Sequence, residues 1–547
     1  MVQFFSSTYR SFRSYIMSRY AFPLTLIGIA VVYVGFQWAL ATPAVSYDLQ
    51  RDHFHALENW NPSAFQANID QNRICPITAY GASRVDALAT ARAINQATVA
   101  CSSQGGGVVV VPPGTWPTGP FTLMSNIELR IEAGAILIFS KNIEDYSEGV
   151  RVRFEGVHAK SYQPLIYGLA THNVHITGGG TLIGNGTVAW HDLLDTERKS
   201  FLDLYKLAET PTSFDDREPY LSDTRLLRPS FLSCYDCSGI EIDSITLKDF
   251  PRWGIHMVFS DMISIHDLTI DTMGPNTDGI VIDSSKDVVI ERAMITSGDD
   301  AIAIKSGLQT DGWKDDDPSQ KIAILDTQVS GAHGGIAIGS EMSGGVDRVL
   351  VRNFRAYNVE NAVRVKVPNG RGGYVRDVLV DDLVFENVEK SVLHIDADYA
   401  YNTVEKNPQY DIRTPDVQRL YFENIRGSNA QRALEMDGFD GQTYTGNSMI
   451  FRNIDMDVDK GIAVHGLHDA IFQDITLRLQ EGEALSIEDG SSIAVENLSC
   501  AKDVFEKCFS VMGASYDIRV TDPNTSRYTR NPWREKGENV RIIGWEQ

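Results

Sequence analysis

The chain has 547 residues, with 72 Asp or Glu against 49 Lys or Arg, so its formal net charge is −23. This acidic excess argues against nucleic acid as a partner, because a phosphate-binding surface needs a basic excess. The length fits either two or three ordinary domains or one elongated repeat fold.

The first 44 residues predict an export segment. Three arginines precede an uncharged apolar run over residues 20–44 that ends in small residues. Such a run is typical of a cleaved secretion signal, although about twenty apolar residues also suffice to span a bilayer. We therefore expect residues 1–44 to be a signal peptide or signal anchor, with contact to a membrane only through this segment if it is uncleaved. Residues 45–70 are predicted to be a linker, and the rest of the chain to be periplasmic or extracellular.

Residues 71–547 are predicted to form one domain that opens with a cap. The apolar spacing from Val85 to Cys101 predicts an amphipathic helix. A valine-rich strand follows at residues 108–111. A helix over the end of a sheet shields edge groups that would otherwise pair with other chains.

Six cysteines are consistent with export but too few for a disulfide-rich scaffold. Cys234 and Cys237 have the spacing of a metal or redox pair, yet no second pair lies at zinc-site spacing. We expect these two to face the core or to form a bridge, and we predict no metal and no cofactor. Cys500 and Cys508 are placed to close a small loop.

Short β-rich segments of one type recur along the chain, as in the segments that start at residues 239, 262 and 287. Their starts are 21 to 40 residues apart, and several carry an Asn or Asp followed by a further apolar residue, as in Phe422–Ile425. Spacings that share a minimum length and exceed it by variable amounts are typical of repeated coils of constant size, some of which carry insertions. The sequence therefore predicts an all-β fold, a right-handed parallel β-helix with an N-terminal capping helix. We expect the apolar side chains and the Asn or Asp of the turns to point inward.

Charged stretches that lack the strand pattern interrupt the repeat. The longest covers residues 190–228, and shorter ones cover 314–318 and 399–414. We expect these insertions to project from the coils, the first of them beside the functional cleft.

Four segments with potentially functional side chains are spaced so that consecutive coils would carry them. Asp278 and Asp300 are 22 residues apart, and the next two segments follow after 33 and 31 residues. The side chains concerned are Asn276, Asp278, Asp299, Asp300, His333, Arg364 and Lys366. Strand alternation turns the isoleucines of Ile302–Lys305 inward and leaves Lys305 outward. The sequence thus predicts a column of carboxylates, one imidazole and cations.

Three carboxylates on neighbouring coils cannot all ionise freely, because like charges raise the proton affinity of one of them. One would act as a general acid while its ionised partners activate water. Arg364 and Lys366 would hold a carboxylate of the substrate. The alternative is that Asp, Asn and His merely fill turns, but their joint occurrence at coil spacing favours a function.

The motifs Gly274–Gly279 (GPNTDG), Gly298–Asp300 (GDD), His333–Gly334 and Arg364–Lys366 (RVK) resemble the four signatures of glycoside hydrolase family 28, the polygalacturonases. The likeness extends over most of the chain. The resemblance implies a right-handed parallel β-helix that hydrolyses α-1,4-linked galacturonic acid with inversion and without a metal.

The resemblance also implies catalytic roles by matching motif positions. Asp299 would be the general acid, and Asp278 and Asp300 would activate water. His333 would support the protonation state of Asp299.

A second set of residues is expected to bind substrate. Arg364 and Lys366 would bind the galacturonate carboxylate next to the scissile bond, and Asn276 would contact substrate or order the carboxylates. We predict that Lys305 also belongs to the substrate-binding residues.

The sequence departs from the family pattern without losing a catalytic group. Ala301 stands where a Cys commonly follows the Asp pair, and Ala332 where a Gly commonly precedes the His. The acidic turn before the cap helix is reduced to Gly81–Asp86. These departures bear on local packing and substrate preference.

The glycine-rich stretches 334–346 and 370–373 resemble bacterial members, among which exo-acting enzymes are frequent. We expect a monomer that acts on an acidic plant or algal polysaccharide, such as pectin or polygalacturonate oligomers, and that releases product from a chain end.

Three other functions fit parts of this pattern. A polysaccharide lyase would share the fold but would need calcium and a basic catalyst. A non-catalytic β-helix that binds polysaccharide would not need the column. A hydrolase of rhamnogalacturonan or xylogalacturonan would keep the reaction and change the substrate.

Overall fold

A computed structural model describes residues 54–146, 149–209, 213–399, 413–439, 446–500, 508–521, 533–534 and 540–543. The predicted signal segment, most of the insertion at 399–414 and the predicted Cys500–Cys508 loop lie outside these residues. No helix of the described ranges is long and apolar enough to cross a membrane.

The chain from Ile74 onward winds into a right-handed parallel β-helix, which confirms the predicted fold. Parallel strands on three faces pair with the equivalent strands of the coils before and after them. We call these faces sheets A, B and C. Sheet A contains Phe121–Thr122, Ile166–Leu169, Leu232–Tyr235, Ile255–Val258, Ile280–Asp283, Ile302–Lys305, Gly334–Ile338, Asn361–Lys366, Leu485–Glu488, Phe509–Met512 and Trp533–Arg534.

Sheets B and C complete each coil. Sheet B contains Ile74–Pro76, Gly107–Val111, Ile127–Ile131, His172–Thr177, Ser238–Asp243, Asp261–His266, Lys286–Glu291, Ser319–Leu325, Leu467–Leu479, Ser491–Cys500, Tyr516–Thr521 and Val540–Ile543. Sheet C contains Gly114–Thr118, Ala135–Phe139, Thr181–Ile183, Thr246–Lys248, Thr269–Asp271, Met294–Thr296 and Gln328–Ser330. Four longer strands, Val346–Val359, Tyr374–Asp396, Asp416–Met436 and Gly446–His465, bend around the corners and join the faces.

The core is built from side chains that stack at equivalent positions of successive coils. Register aligns Ile240 with Ile263 and Ile263 with Val288 on sheet B, and all three are buried. Burial of each such side chain contributes roughly 1.5–3 kcal/mol. Because this stabilisation repeats at every coil, the stack is stable although its individual strands are short.

The predicted cap is confirmed as the helix Ala87–Ser103. The Asp86 side chain accepts a hydrogen bond from the Ala89 N–H and so caps the N-terminus of the helix. The buried face carries Ile94 and Cys101. Cys101 forms a disulfide with Cys75 of the first strand, a pairing that the sequence left open.

Residues 54–70 differ from the predicted linker. Phe54 and Leu57 are buried against Leu350, Leu379 and other side chains on the outer surface of sheet B. Farther along, the Ala67 N–H donates to Glu241, and Gln71 donates to Glu128. The apolar pair and these hydrogen bonds hold the segment against the coils.

The corner residues also differ from the expectation that they point inward. Asn424 and Asn453 adopt left-handed φ angles of 54° and 52°. This turns their amides outward, where Asn453 Nδ2 donates to Asn424 Oδ1 at 2.5 Å. Asn is among the few residues that tolerate this conformation, and the exposed amide ladder follows from it.

The predicted insertion at 190–228 is helical and belongs to a structure that we call the wall. The wall consists of the antiparallel hairpin Gly149–Phe154 and Val157–Tyr162, the helices Gly186–Ala189, Leu194–Glu209 and Gln309–Asp315, and the strand pair Leu221–Ser222 and Arg225–Leu226. Short 3-10 turns at Ile77–Tyr80, Ile143–Tyr146, His191–Leu193 and Phe214–Asp216 complete the connections.

Cys234 and Cys237 are buried free thiols in and just after a sheet A strand. They are core-facing rather than bridged, so one of the two sequence-based alternatives is correct.

Candidate active site

The predicted column lies along sheet A. Ile280 pairs with Ile302, and Ile302 pairs with Ile336. Asp278 and Asp300 each lie two residues before these positions, so they occupy equivalent places on adjacent coils, about 4.8 Å apart along the stack. The structure thus brings the carboxylates together as the 22-residue spacing predicts.

The turn that carries Asp278 is tied to the next coil. The Thr277 hydroxyl donates to the Gly274 carbonyl at 2.9 Å and accepts from the Gly298 N–H at 3.1 Å. Asn276 has a left-handed φ of 56°, and its Oδ1 accepts a hydrogen bond from Arg228 at 2.9 Å. Asn276 is therefore held in place beneath the column by a buried arginine.

Asp299 forms a pair with His333 of the following coil. His333 Nδ1 lies 3.2 Å from Asp299 Oδ1, and the His333 N–H also donates to the Asp299 carbonyl. The Asp299 side chain is 22% exposed, whereas that of Asp300 is 3% exposed. Of the two, Asp299 is the carboxyl that a ligand can approach.

Asp300 lies just before the strand Ile302–Lys305, and its carboxylate is ion-paired with Lys366 at 2.7 Å. The chain passes very close to this carboxylate. A Cβ on Gly334 would lie 2.7 Å from Asp300 Oδ1, so the position next to His333 has to remain a glycine. The glycine of the His333–Gly334 motif is therefore required for steric reasons.

The two departures from the family pattern, Ala301 and Ala332, are both buried in the apolar core beside the column. They change the packing behind the carboxylates and supply no polar group.

Lys305 points outward as predicted, but it lies in a buried group of charges. Its Nζ is 2.5 Å from Glu341 and 4.9 Å from the centre of the Trp253 ring. Only 5% of its side chain is exposed. Direct contact of Lys305 with substrate remains a prediction, and its geometry favours a positioning role.

Arg364 and Lys366 lie side by side at the next coil, and each already has a carboxylate partner. Arg364 Nη2 is 2.6 Å from Asp396 Oδ2. Arg364 Nε is buried and makes no hydrogen bond within the part of the chain that the structure describes. Both cations also lie over the ring of Tyr399, at 5.0 and 5.4 Å from its centre.

Electrostatics distinguish the carboxyl groups. Burial raises the pKa of Asp278 well above its usual value, and the charge of Asp299 raises it further. Burial also acts to raise the pKa of Asp299, but the hydrogen bond and charge of His333 outweigh it and the net pKa is lowered. The bond to Asp299 in turn raises the pKa of His333. Of Asp278 and Asp299, Asp278 is therefore the carboxyl with the higher proton affinity in the ligand-free site.

The cations remain charged. Burial opposes the charge of Lys366, but Asp300 raises its pKa above the usual value. The pKa of Lys305 is likewise raised, because Glu341 outweighs the cost of burial. The site can thus bind an anion and move a proton between carboxyl groups.

Several charged residues of the site escaped the sequence analysis. Glu341 lies in a glycine-rich loop, and Asp396 ends a long strand; neither belongs to a repeated motif. Glu155, at the tip of the hairpin, has its pKa raised by burial to about 7 and pairs with the buried Arg252. Asp396 is the register partner of Lys366 and could have been found through it, but nothing in the sequence points to Glu155.

The wall is joined to the coils by buried ion pairs. Arg153 of the hairpin lies 2.9 Å from Asp283 of sheet A and 3.0 Å from Asp315 at the end of a wall helix. Within the wall itself, Arg217 binds Asp311 through two hydrogen bonds of 2.5 and 2.6 Å. The wall is therefore fixed beside the column and not loosely attached.

Comparison with known proteins gives a consistent result. Residues 221–470 match the model of glycosyl hydrolases family 28. A probable polygalacturonase of Vitis vinifera is 30% identical over 356 residues, which cover 63% of this chain and 66% of that protein. An exo-poly-alpha-D-galacturonosidase of Dickeya chrysanthemi is 23% identical over 74% of this chain and 71% of its own length.

The solved structures include a hyperthermoactive exopolygalacturonase from Thermotoga maritima. It superposes with a TM-score of 0.68 at 29% identity and covers 84% of this chain and 97% of its own. Residues 221–470, which match the family model, contain every residue of the column.

Proposed function

Because this chain belongs to glycosyl hydrolase family 28, the polygalacturonase family, and is a glycosidase, we propose that it hydrolyses α-1,4-galacturonosidic bonds of polygalacturonate or pectin. We propose further that it inverts the anomeric configuration and releases product from a chain end. The observation that carries the proposal is the column on sheet A, in which one accessible carboxyl, two buried carboxyls and two cations converge.

Asp299 acts as the general acid in this proposal. Its partial exposure lets a glycosidic oxygen approach, while Asp278 and Asp300 remain buried behind it. A sugar that docks over Asp299 removes its remaining water, and loss of water raises the pKa of a carboxyl group. The proton then passes from Asp278 to Asp299, which donates it to the leaving oxygen.

Asp278, having given up its proton, then orients the attacking water together with Asp300, and one of the two carboxylates takes the proton of the water. The water attacks from the face opposite the leaving group, which inverts the anomeric carbon. Lys366 stabilises the ionised Asp300 at 2.7 Å throughout.

Arg364 and Lys366 recognise the uronate carboxylate. The free Nε of Arg364 is a donor for that carboxylate, while Nη2 stays on Asp396. Recognition by a guanidinium and an ammonium favours an acidic sugar over a neutral one at this position.

The wall supports chain-end action. The hairpin tip packs on the loops that hold Lys305 and Glu341, since a Cβ on Gly156 would lie 2.6 Å from the Leu308 nitrogen and 3.0 Å from the Glu341 Cβ. A fixed obstacle at one end of a groove leaves room for a chain end but not for a passing polymer. Two of the relatives described above carry exo-acting names.

Export and a monomeric state belong to the same proposal. The apolar segment at residues 20–44 and the Cys75–Cys101 disulfide support an oxidising compartment such as the periplasm or the outside of the cell.

The test is a time course on polygalacturonic acid with chromatographic separation of products, with Asp299→Asn run beside the parent. We expect saturated monomer or dimer from the first time points, and a fall in kcat of roughly 10²–10⁴-fold in the variant, because the general acid is lost. Nuclear magnetic resonance of the first product should show the inverted anomer.

Other outcomes would contradict specific parts of the proposal. Mixed long oligomers at early times would refute chain-end action. Unsaturated products would indicate a lyase, and binding without new reducing ends would indicate a non-catalytic protein. Release only from rhamnogalacturonan or xylogalacturonan would change the substrate.

A further inference from the structure

A second group of ionisable side chains lies on sheet B, on a different face of the coil from the carboxyl column. It consists of His175, Glu241, Asp243 and His266, which come from three successive coils. Register pairs His175 with Glu241 and Asp243 with His266. Ile240 and Ile242, which alternate with Glu241 and Asp243 along the strand, face the core. The four polar side chains therefore project from the outer surface of the sheet.

The potential ligand atoms converge. His175 Nε2 lies 3.4 Å from Asp243 Oδ2 and 3.9 Å from Glu241 Oε2. His266 Nε2 lies 3.2 Å from Glu241 Oε1 and 4.0 Å from Asp243 Oδ2. Tetrahedral zinc with bonds of about 2.0–2.2 Å keeps its ligand atoms roughly 3.3–3.5 Å apart. His175, Glu241 and Asp243 each offer a ligand atom within 4.8 Å of the other two, and a side-chain movement that brings these atoms and His266 Nε2 closer together would complete a four-ligand site.

The surrounding contacts orient these atoms as a metal would require. His266 Nδ1 lies 3.0 Å from Asp267 Oδ2, and a carboxylate on the far nitrogen fixes Nε2 as the free lone pair. Glu241 Oε2 accepts the Ala67 N–H at 2.8 Å, which leaves Oε1 directed at His266.

His175 supplies an independent observation. Its Nε2 is shielded from solvent and makes no hydrogen bond of standard geometry within the described residues, despite the two carboxylates near it. A shielded nitrogen that faces two carboxylates without a well-formed hydrogen bond is a position where a bound ion would satisfy all three groups.

We propose that His175, Glu241, Asp243 and His266 form a structural site for a divalent transition metal, with Zn²⁺ as the best fit. Two imidazoles with two carboxylates suit zinc and its neighbours, whereas Ca²⁺ and Mg²⁺ prefer oxygen ligands alone. The ion joins three coils directly. Through the bond from Ala67 to Glu241 it also secures the segment at residues 61–73 that crosses sheet B.

This inference does not rest on the proposed hydrolase. The cluster and the carboxyl column lie on different faces of the coil, so the metal takes no part in the reaction. Removal of the metal is expected to lower thermal stability and to leave kcat unchanged at a temperature where the protein stays folded.

The test uses the full chain after treatment with a chelator. Calorimetry with Zn²⁺ measures affinity and stoichiometry, and visible absorption of bound Co²⁺ reports the ligand geometry. We expect one Co²⁺ ion to bind per chain and to give an absorption spectrum typical of tetrahedral coordination. Addition of Zn²⁺ should raise Tm, since a ligand that binds only the folded state stabilises it.

Two variants identify the ligands. Asp243→Asn and His175→Gln keep side-chain size and should each weaken Zn²⁺ binding by at least about 10–100-fold, an effect seen even for outer-shell changes. His465→Gln is the matched control, because His465 pairs with Asp489 at 3.3 Å in a distant coil. The control variant should bind Zn²⁺ like the parent.

A third variant separates this site from another group of possible ligands, His394, Asp396 and Asp437, beside the active site. If His394→Gln abolishes the Co²⁺ spectrum while Asp243→Asn leaves it unchanged, the proposed site is wrong. Absence of any bound Zn²⁺ or Co²⁺ in the parent would also overturn it, and the cluster would then be a set of charged histidine–carboxylate pairs.

Discussion

The hydrogen bond between His333 and Asp299 couples a half-exposed imidazole to the carboxyl that faces the cleft. It lowers the pKa of Asp299 and raises that of His333. Below the raised pKa the imidazolium is present, and it is lost as the pH rises through that value. The pair therefore keeps a proton at the mouth of the site to a higher pH than a carboxyl alone would.

The variant His333→Asn tests this coupling. We expect kcat/KM to fall and the alkaline limb of its pH profile to move to lower pH, because a carboxyl replaces an imidazole as the last group to lose its proton. The measurement is kcat/KM across the pH range on a defined oligogalacturonate.

His468→Asn serves as the control for this variant, since His468 bonds to Ser491 far along the stack. An alkaline limb that stays in place in His333→Asn would show that Asp299 does not depend on the imidazole.

At the scale of elements, the C-terminal coils are held together by a stack of aromatic rings. Phe422, Phe451 and Phe472 lie at equivalent positions, with ring centres 5.4 and 4.8 Å apart and planes within 10° of parallel. All three are buried. The middle ring contacts both neighbours, so its removal should affect two coil interfaces.

We predict that Phe451→Ala lowers the free energy of unfolding by roughly 3–5 kcal/mol, the usual cost of deleting a buried aromatic side chain. Phe451→Leu keeps most of the volume and should cost less than half of that. Urea denaturation followed by circular dichroism measures both. Equal losses in the two variants would contradict this prediction, because the aliphatic volume of leucine would then recover none of the lost stability.

The same regularity explains how far the sequence could predict the structure. Between Asp278 and Asp300 no insertion occurs, so the spacing alone aligned them. The repeat of β-rich segments predicted the coil, and the apolar spacing before Cys101 predicted the cap helix. These features follow from local patterns that recur at a fixed interval.

Contacts between distant segments could not be predicted in this way. Glu341 reaches Lys305 from a loop, and the ligand cluster combines His175 with His266, 91 residues later. Residues 54–70 lie within the predicted linker, yet they pack on the outer surface of sheet B. Their binding surface exists only once sheet B has formed.

At the scale of the whole molecule, the wall lies beside the column and is the proposed cause of chain-end action. Arg217 binds Asp311 across 94 residues of sequence, and both side chains are at most 5% exposed. Loss of one partner from such a pair leaves a buried charge without compensation, which costs roughly 3–5 kcal/mol.

The variant Arg217→Met should therefore loosen the wall and change the product pattern. We expect longer oligomers to appear beside monomer in early samples from polygalacturonic acid, because polymer can then pass the obstacle. Arg225→Met, in the same insertion but stacked on the Tyr220 ring, is the control and should keep the parental pattern. Unchanged products from a folded Arg217→Met protein would show that the wall does not set chain-end action.

The coil register also determines the order in which the molecule can fold. Each sheet A strand from Ile255–Val258 to Asn361–Lys366 pairs with strands one coil away, so a chain that emerges from its N-terminus can add coils one after another, as in other solenoids. The hairpin at residues 149–162 cannot dock when the first coils form, because Arg153 pairs with Asp283 and Asp315, which come later in the chain. This face of the coils thus exists as an open surface during synthesis, and the hairpin can dock only once the chain as far as Asp315 has been made.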